Sequence, residues 1–65
     1  MSNVKVIGVG DGGNSSLNRM IEAGLEDVEF IAVNTDSKAL QVSKSLKRIQ
    51  IGERIARDVL AKSTR

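Results

Sequence analysis

The chain has 65 residues, with ten Lys and Arg against eight Asp and Glu, no cysteine, no histidine and Phe30 as its one aromatic side chain. Those absences exclude disulfide staples, thiolate or imidazole metal sites, a histidine general base and an aromatic platform for stacking nucleobases. The interspersed charges, net +2, describe an ordinary solvated surface rather than a nucleic-acid footprint. A chain this short buries only about 60% of the surface that its unfolded form exposes, so residues 1–65 read as one small domain of marginal stability. Nothing in it has the length of a membrane span or the apolar core of a signal peptide, and the lack of cysteine suits a reducing cytoplasm.

Residues 4–9 are apolar apart from Lys5 and Gly8 and predict a strand, β1, buried on both faces. Four of the six glycines then fall within positions 8–13. Past them Leu17, Met20 and Ile21 recur at helical spacing, which predicts α1, with Asn14, Ser15 or Ser16 as its N-cap and Gly24 as its left-handed terminator. "VEFIAV", residues 28–33, predicts a central strand β2 that ends in the turn residues Asn34, Thr35 and Asp36. A short helix α2 follows from Ser37 to about Ser45, capped by Thr35 or Asp36. Alternation over residues 47–51 predicts an edge strand β3 with Arg48 and Gln50 on a wet face. From Glu53 onward an apolar stripe of Ile55, Ala56, Val59 and Leu60 predicts α3. The result is an α/β fold: a βαβαβα half-Rossmann-like unit with a three-stranded parallel sheet in the order 3-2-1. Right-handed crossovers place α1 and α2 on one face and leave α3 to cover the other.

A helix begins with unpaired amides and the positive end of its dipole, and glycines let an anion approach them. "GVGDGG" running into a helix therefore reads as a phosphate cradle. It is not a Walker A loop, because Gly13 is followed by Asn14 and Ser15 and the loop holds no cation. Gly8, Gly10 and Gly13 do satisfy G-x-G-x-x-G, with Asp36 near the place of a ribose-binding acid, so a dinucleotide (NAD)-binding half stays open on spacing alone.

Residues 5–53, about three quarters of the chain, resemble the N-terminal nucleotide-binding segment of FtsZ, the bacterial tubulin-like cell-division GTPase. The resemblance is carried by the glycine loop leading into "NRMIE", by "VEFIAVNTD" and by "IQIGE", in the family's order and spacing. It implies a cytoplasmic GTP- or GDP-binding subdomain, a fragment or redesign with weak or no activity alone, taking its nucleotide with or without Mg2+. It implies phosphate contacts from Gly10, Gly12, Gly13 and Asn14, with Asp11 among them in the loop, and nucleotide contacts from Asn34, Thr35 and Asp36. No catalytic residue and no metal ligand are assigned.

The chain departs from that pattern at Asp11, where the family usually has glycine. At about 6 Å from a phosphate this carboxylate costs roughly 0.7 kcal/mol in water and about 3 at an effective dielectric of 20, whereas the helix terminus returns about 0.3 to 1, or up to about 2. It departs again in "RIARDVLAKSTR", residues 54–65, and the family's remaining nucleotide loops lie beyond the similar span. A module that keeps the fold without the ligand is thus the competing expectation, and a homodimer through an uncovered sheet face or edge is expected should α3 leave that face open.

Overall fold

A computed structural model describes the backbone of residues 4–63 and the side chains of residues 4–59. The elements follow in the order β1 (Val4–Val9), α1 (Gly10–Glu22), β2 (Val28–Asn34), α2 (Ser37–Gln41), β3 (Lys47–Gln50) and α3 (Glu53–Ser63). The sheet is parallel with β2 in the middle, in the order β1-β2-β3, which read from the opposite edge is 3-2-1. Its register aligns Gly8, Ala32 and Arg48 across the three strands, and Val9, Val33 and Ile49 one residue further on.

That register divides the sheet into two unlike faces, since strand side chains alternate. Val6, Phe30 and Ala32 face the layer of α1 and α2, where Leu17, Ala32 and Leu40 form the buried core. Ile7, Val9, Ile31, Val33 and Ile49 share the opposite face, and Ile7 and Ile49 remain 59% and 50% exposed. Two expectations are corrected here. β1 is an edge strand with one open face rather than a strand buried on both. The second face is not covered by α3, whose own Ile55 and Val59 are exposed as well. The cause is the exit of the chain from β3: Ile51 continues the ladder through its amide to the Asn34 carbonyl, and Ala56 bonds back to Gly52, so the helix begins beyond the strand ends.

β3 also reverses its expected polarity. Arg48 lies on the helix side and donates to the Leu40 carbonyl, and Gln50 donates to the Thr35 carbonyl, while the apolar Ile49 faces outward. Alternation finds the two faces of a strand but does not say which one the helices will take. α2 is shorter than its pattern suggests because the segment after it is committed to other bonds: the Lys44 amide goes to Asn18, and the Ser45 hydroxyl reaches the Phe30 carbonyl, which β3 starts too late to pair. At the other end of α1, Gly24 has φ 78° and its amide bonds to the Ile21 carbonyl, the left-handed stop that the sequence predicts.

Lys5 and Lys47 flank Glu29 at the start of the sheet, and Lys44 pairs with Glu22 on α1. The Lys47 hydrogen bond holds the Glu29 carboxyl below its ordinary pKa, and the Lys44 hydrogen bond does the same for Glu22. A carboxylate whose folded value is depressed contributes stability above its unfolded value and loses it as pH falls through the folded one. Acidification through the carboxylate range is therefore expected to lower the melting temperature of the wild type more than that of Glu29→Gln, so that melting curves of the two converge at the acid end.

Candidate functional site

The site lies where the C-terminal ends of β1 and β2 meet the start of α1. α1 starts at Gly10, four to six residues before the expected caps. Val9 holds the N-cap position, in extended conformation and with no side-chain bond to the helix amides. Asn14 and Ser16 are thus internal to the helix and Ser15 is exposed on it. The cap expectation fails because the glycines themselves wind into the first turn, despite their poor intrinsic propensity.

The four glycines divide by what the fold demands of them. Gly8 and Gly13 are in van der Waals contact across the strand–helix junction: a Cβ on Gly8 would fall 2.4 Å from the Gly13 carbonyl oxygen and 2.6 Å from Leu17 Cγ, and a Cβ on Gly13 would fall 2.8 Å from the Gly8 carbonyl carbon. These two let the helix approach the strand. Gly10 has φ 77°, a left-handed turn into the helix that side chains disfavour. Gly12 serves neither purpose: its backbone is outside the left-handed region, and nothing lies within 4 Å of the place a Cβ would take. A glycine in the first turn of a helix, beside amides that no side chain caps, leaves room that the fold itself does not use.

Beneath the glycines two buried asparagines lock the strand ends together. Asn14 Nδ2 donates to the Gly8 carbonyl at 2.9 Å and to the Val33 carbonyl at 3.3 Å. Asn34 Nδ2 donates to Asn14 Oδ1 and to Asp11 Oδ1, both at 3.0 Å, and Asn34 Oδ1 accepts the Asp36 amide. Each amide side chain is satisfied on both ends by protein. Asn14 and Asn34 are therefore spent on positioning the loop, a role the sequence reading did not give them. Replacing Asn14 by Ala takes the side-chain donor from the buried Gly8 carbonyl and the part-buried Val33 carbonyl and removes one of Asn34's three bonds; it is expected to cost about 2 kcal/mol or more, seen as a lowered midpoint in urea denaturation.

The remaining expected residues are brought to the same end of the sheet. Asp11 is exposed, and its carboxylate leans toward Asn34 rather than over the helix amides. Asp36 caps α2, its Oδ1 accepting the Lys38 amide at 2.9 Å. Thr35 lines a cleft of about 200 Å³ with Gly10, Asp11 and Asn34, and Ile51 and Ala56 close its far wall. Those last two residues were not expected in the site. Only the approach of the α3 start to the strand ends brings them in, and no local pattern signals it. Pockets that enclose a whole organic ligand run to about 300–1,000 Å³; this smaller, half-open cleft has room for a phosphate group. Among the described residues no cluster of acidic side chains forms a metal site, and no helix is long and apolar enough to cross a membrane.

No protein-family model matches the chain. A solved structure, a mutant of FtsZ from M. jannaschii, aligns with it at 35% sequence identity and a TM-score of 0.70, over 83% of this chain and 16% of that one. The chain spans about a sixth of the FtsZ that it matches. Over most of its length it is therefore similar, in sequence and in fold, to a segment of FtsZ.

Proposed function

We propose that the chain is the phosphate-contacting part of a tubulin-like GTPase nucleotide site, taking the phosphates of GTP or GDP at the entrance of α1. The observation that carries this reading is Gly12, a glycine that neither sterics nor backbone conformation requires, placed beside uncapped helix amides. The small cleft beside the loop, lined by Gly10 and Asp11 but not by Gly12 or Gly13, and the similarity to an FtsZ segment support it. Gly10, Gly12 and Gly13 present backbone to the phosphates, Thr35 borders them, and Asn14, Asn34 and Asp36 hold the loops in place. Mg2+ enters as a counterion of the nucleotide, because no cluster of acidic side chains among the described residues would hold it alone. The described lining of the cleft contains no lysine or arginine to stabilise a transferring phosphoryl group, so the proposed role is binding, weak in the isolated chain, rather than hydrolysis.

A module without a ligand is the competing reading, favoured by the observation that the polar side chains around the entrance already bond to one another. Gly12→Ala separates the two. Under the phosphate reading the variant folds as well as the wild type or better, by about 0.5–1 kcal/mol from the helix preference for alanine, and loses most of its GDP affinity by calorimetry. No GDP affinity in either protein supports the module instead, and equal affinity in both removes Gly12 from the phosphate site.

A further inference from the structure

The end of the sheet away from the phosphate cleft carries a larger opening, a groove of about 430 Å³, within the range of about 300–1,000 Å³ in which small organic ligands are held. We propose that it binds an amphiphilic organic anion, a medium-chain carboxylate, with the tail laid on an apolar floor and the headgroup on Lys44 and Lys47. The floor is Ile21 and Leu25 from the end of α1, Val28 and Phe30 from β2, and Leu46 from the link before β3. The groove exists because α2 stops at Gln41, so that this link rather than a helix forms its second wall, tied to the Phe30 carbonyl by the Ser45 hydroxyl. Leu25 and Leu46 are 53% and 96% exposed, apolar surface that the packing of the described residues does not use.

Charge sets the sign of the ligand. At this end the three lysines Lys5, Lys44 and Lys47 pair with the two glutamates Glu22 and Glu29, an excess of one positive charge, whereas the described lining of the phosphate cleft holds Asp11 and no cation. An ammonium carries three donors, and Lys44 and Lys47 each contact one carboxylate, so the oxygen of a ligand can join without displacing it. Lys5 also faces Glu29, at 3.9 Å, and keeps that carboxylate paired if Lys47 turns to the ligand. The side chains of Lys44 and Lys47 are 49% and 63% exposed, which leaves the headgroup in water and spares it the cost of burial. Exposed ion pairs contribute little on their own, so a short or purely inorganic anion has weak hold here. The tail supplies the affinity, about fourfold for each methylene laid on the floor.

Octanoate titrated into the full chain and followed by amide chemical shifts is expected to move Phe30, Ser45, Leu46 and Lys47 saturably and to leave Gly10, Gly12 and Gly13 in place. It should bind roughly fifteenfold more tightly than hexanoate, two methylenes at about fourfold each. It should also bind roughly tenfold more tightly than octylammonium, which carries the same tail with the opposite charge, and Lys44→Gln combined with Lys47→Gln should remove that preference. Leu46→Ser should weaken octanoate roughly tenfold, while Val42→Ser, at a residue 75% exposed and outside the groove lining, should leave it unchanged; circular dichroism checks that the variants fold. Shifts that do not saturate at the groove, equal binding of hexanoate and octanoate, octylammonium binding as tightly as octanoate, or a Leu46→Ser variant that binds like the wild type overturns the proposal. None of these readouts involves nucleotide, so they stand apart from the phosphate reading.

Discussion

Gly8→Ala is expected to leave the chain without a cooperative thermal transition, or with one lowered by about 15 °C or more. The added methyl meets the Gly13 carbonyl oxygen at 2.4 Å and Leu17 Cγ at 2.6 Å. Leu17 is a large side chain buried to 1% exposure, and the carbonyl belongs to the first turn of α1, so neither yields without moving the helix off the sheet. Overpacking of this kind costs about 1–3 kcal/mol where side chains can adjust and more where backbone must move. The total stability of a 65-residue domain is only about 3–10 kcal/mol, and each kcal/mol is worth about 4–8 °C in a domain this small. Gly13→Ala meets backbone from the other side of the same junction and should behave alike. The contrast with Gly12→Ala, which the fold accepts, is the test: three glycines within six residues, two indispensable to packing and one not.

Asp11→Asn is expected to raise GDP and GTP affinity by between about threefold and a hundredfold. The substitution removes the charge but keeps an oxygen for Asn34 Nδ2, whose 3.0 Å bond to Asp11 fixes the side chain at the cleft. A unit negative charge about 6 Å from a phosphate costs roughly 0.7 kcal/mol in water and about 3 at an effective dielectric of 20, and those limits set the range. Because Asp11 is exposed, salt screens it, and the gain should shrink as ionic strength rises. Calorimetric titrations of wild type and variant at low and high salt measure both effects. Identical affinities at low salt would mean that the phosphates do not sit at this end of α1.

The architecture was legible in the sequence because each strand is a short β-rich run bounded by turn residues, and Gly24 marks the end of α1 by its conformation alone. The ligand-facing role proposed for the glycine loop was legible only in outline. A glycine for close packing, a glycine for a left-handed turn and a glycine for a ligand look the same as letters; the Gly8–Gly13 contact joins a strand to a helix, and only the folded register separates them. Asn14 illustrates the same limit from the other direction: as a residue type it suits a cap, but its neighbours Gly8, Val33 and Asn34 come from two strands and turn it into a buried clasp. The fate of the outer face was decided by the exit angle after Ile51, which two connecting residues set and which the stripe of α3 does not encode. Arg48 and Gln50 mislead for a related reason, since a long polar side chain on a narrow sheet reaches backbone carbonyls on the helix side as readily as it reaches water.

The amides at the head of α1 decide the account. In a titration of the full chain with GDP and Mg2+ to millimolar concentration, followed by amide chemical shifts, the resonances of Gly10, Asp11, Gly12 and Gly13 should move first and furthest and saturate together, with Thr35 following. Shifts that stay flat there, or that concentrate at the opposite end of the sheet around Phe30 and Ser45, would contradict it.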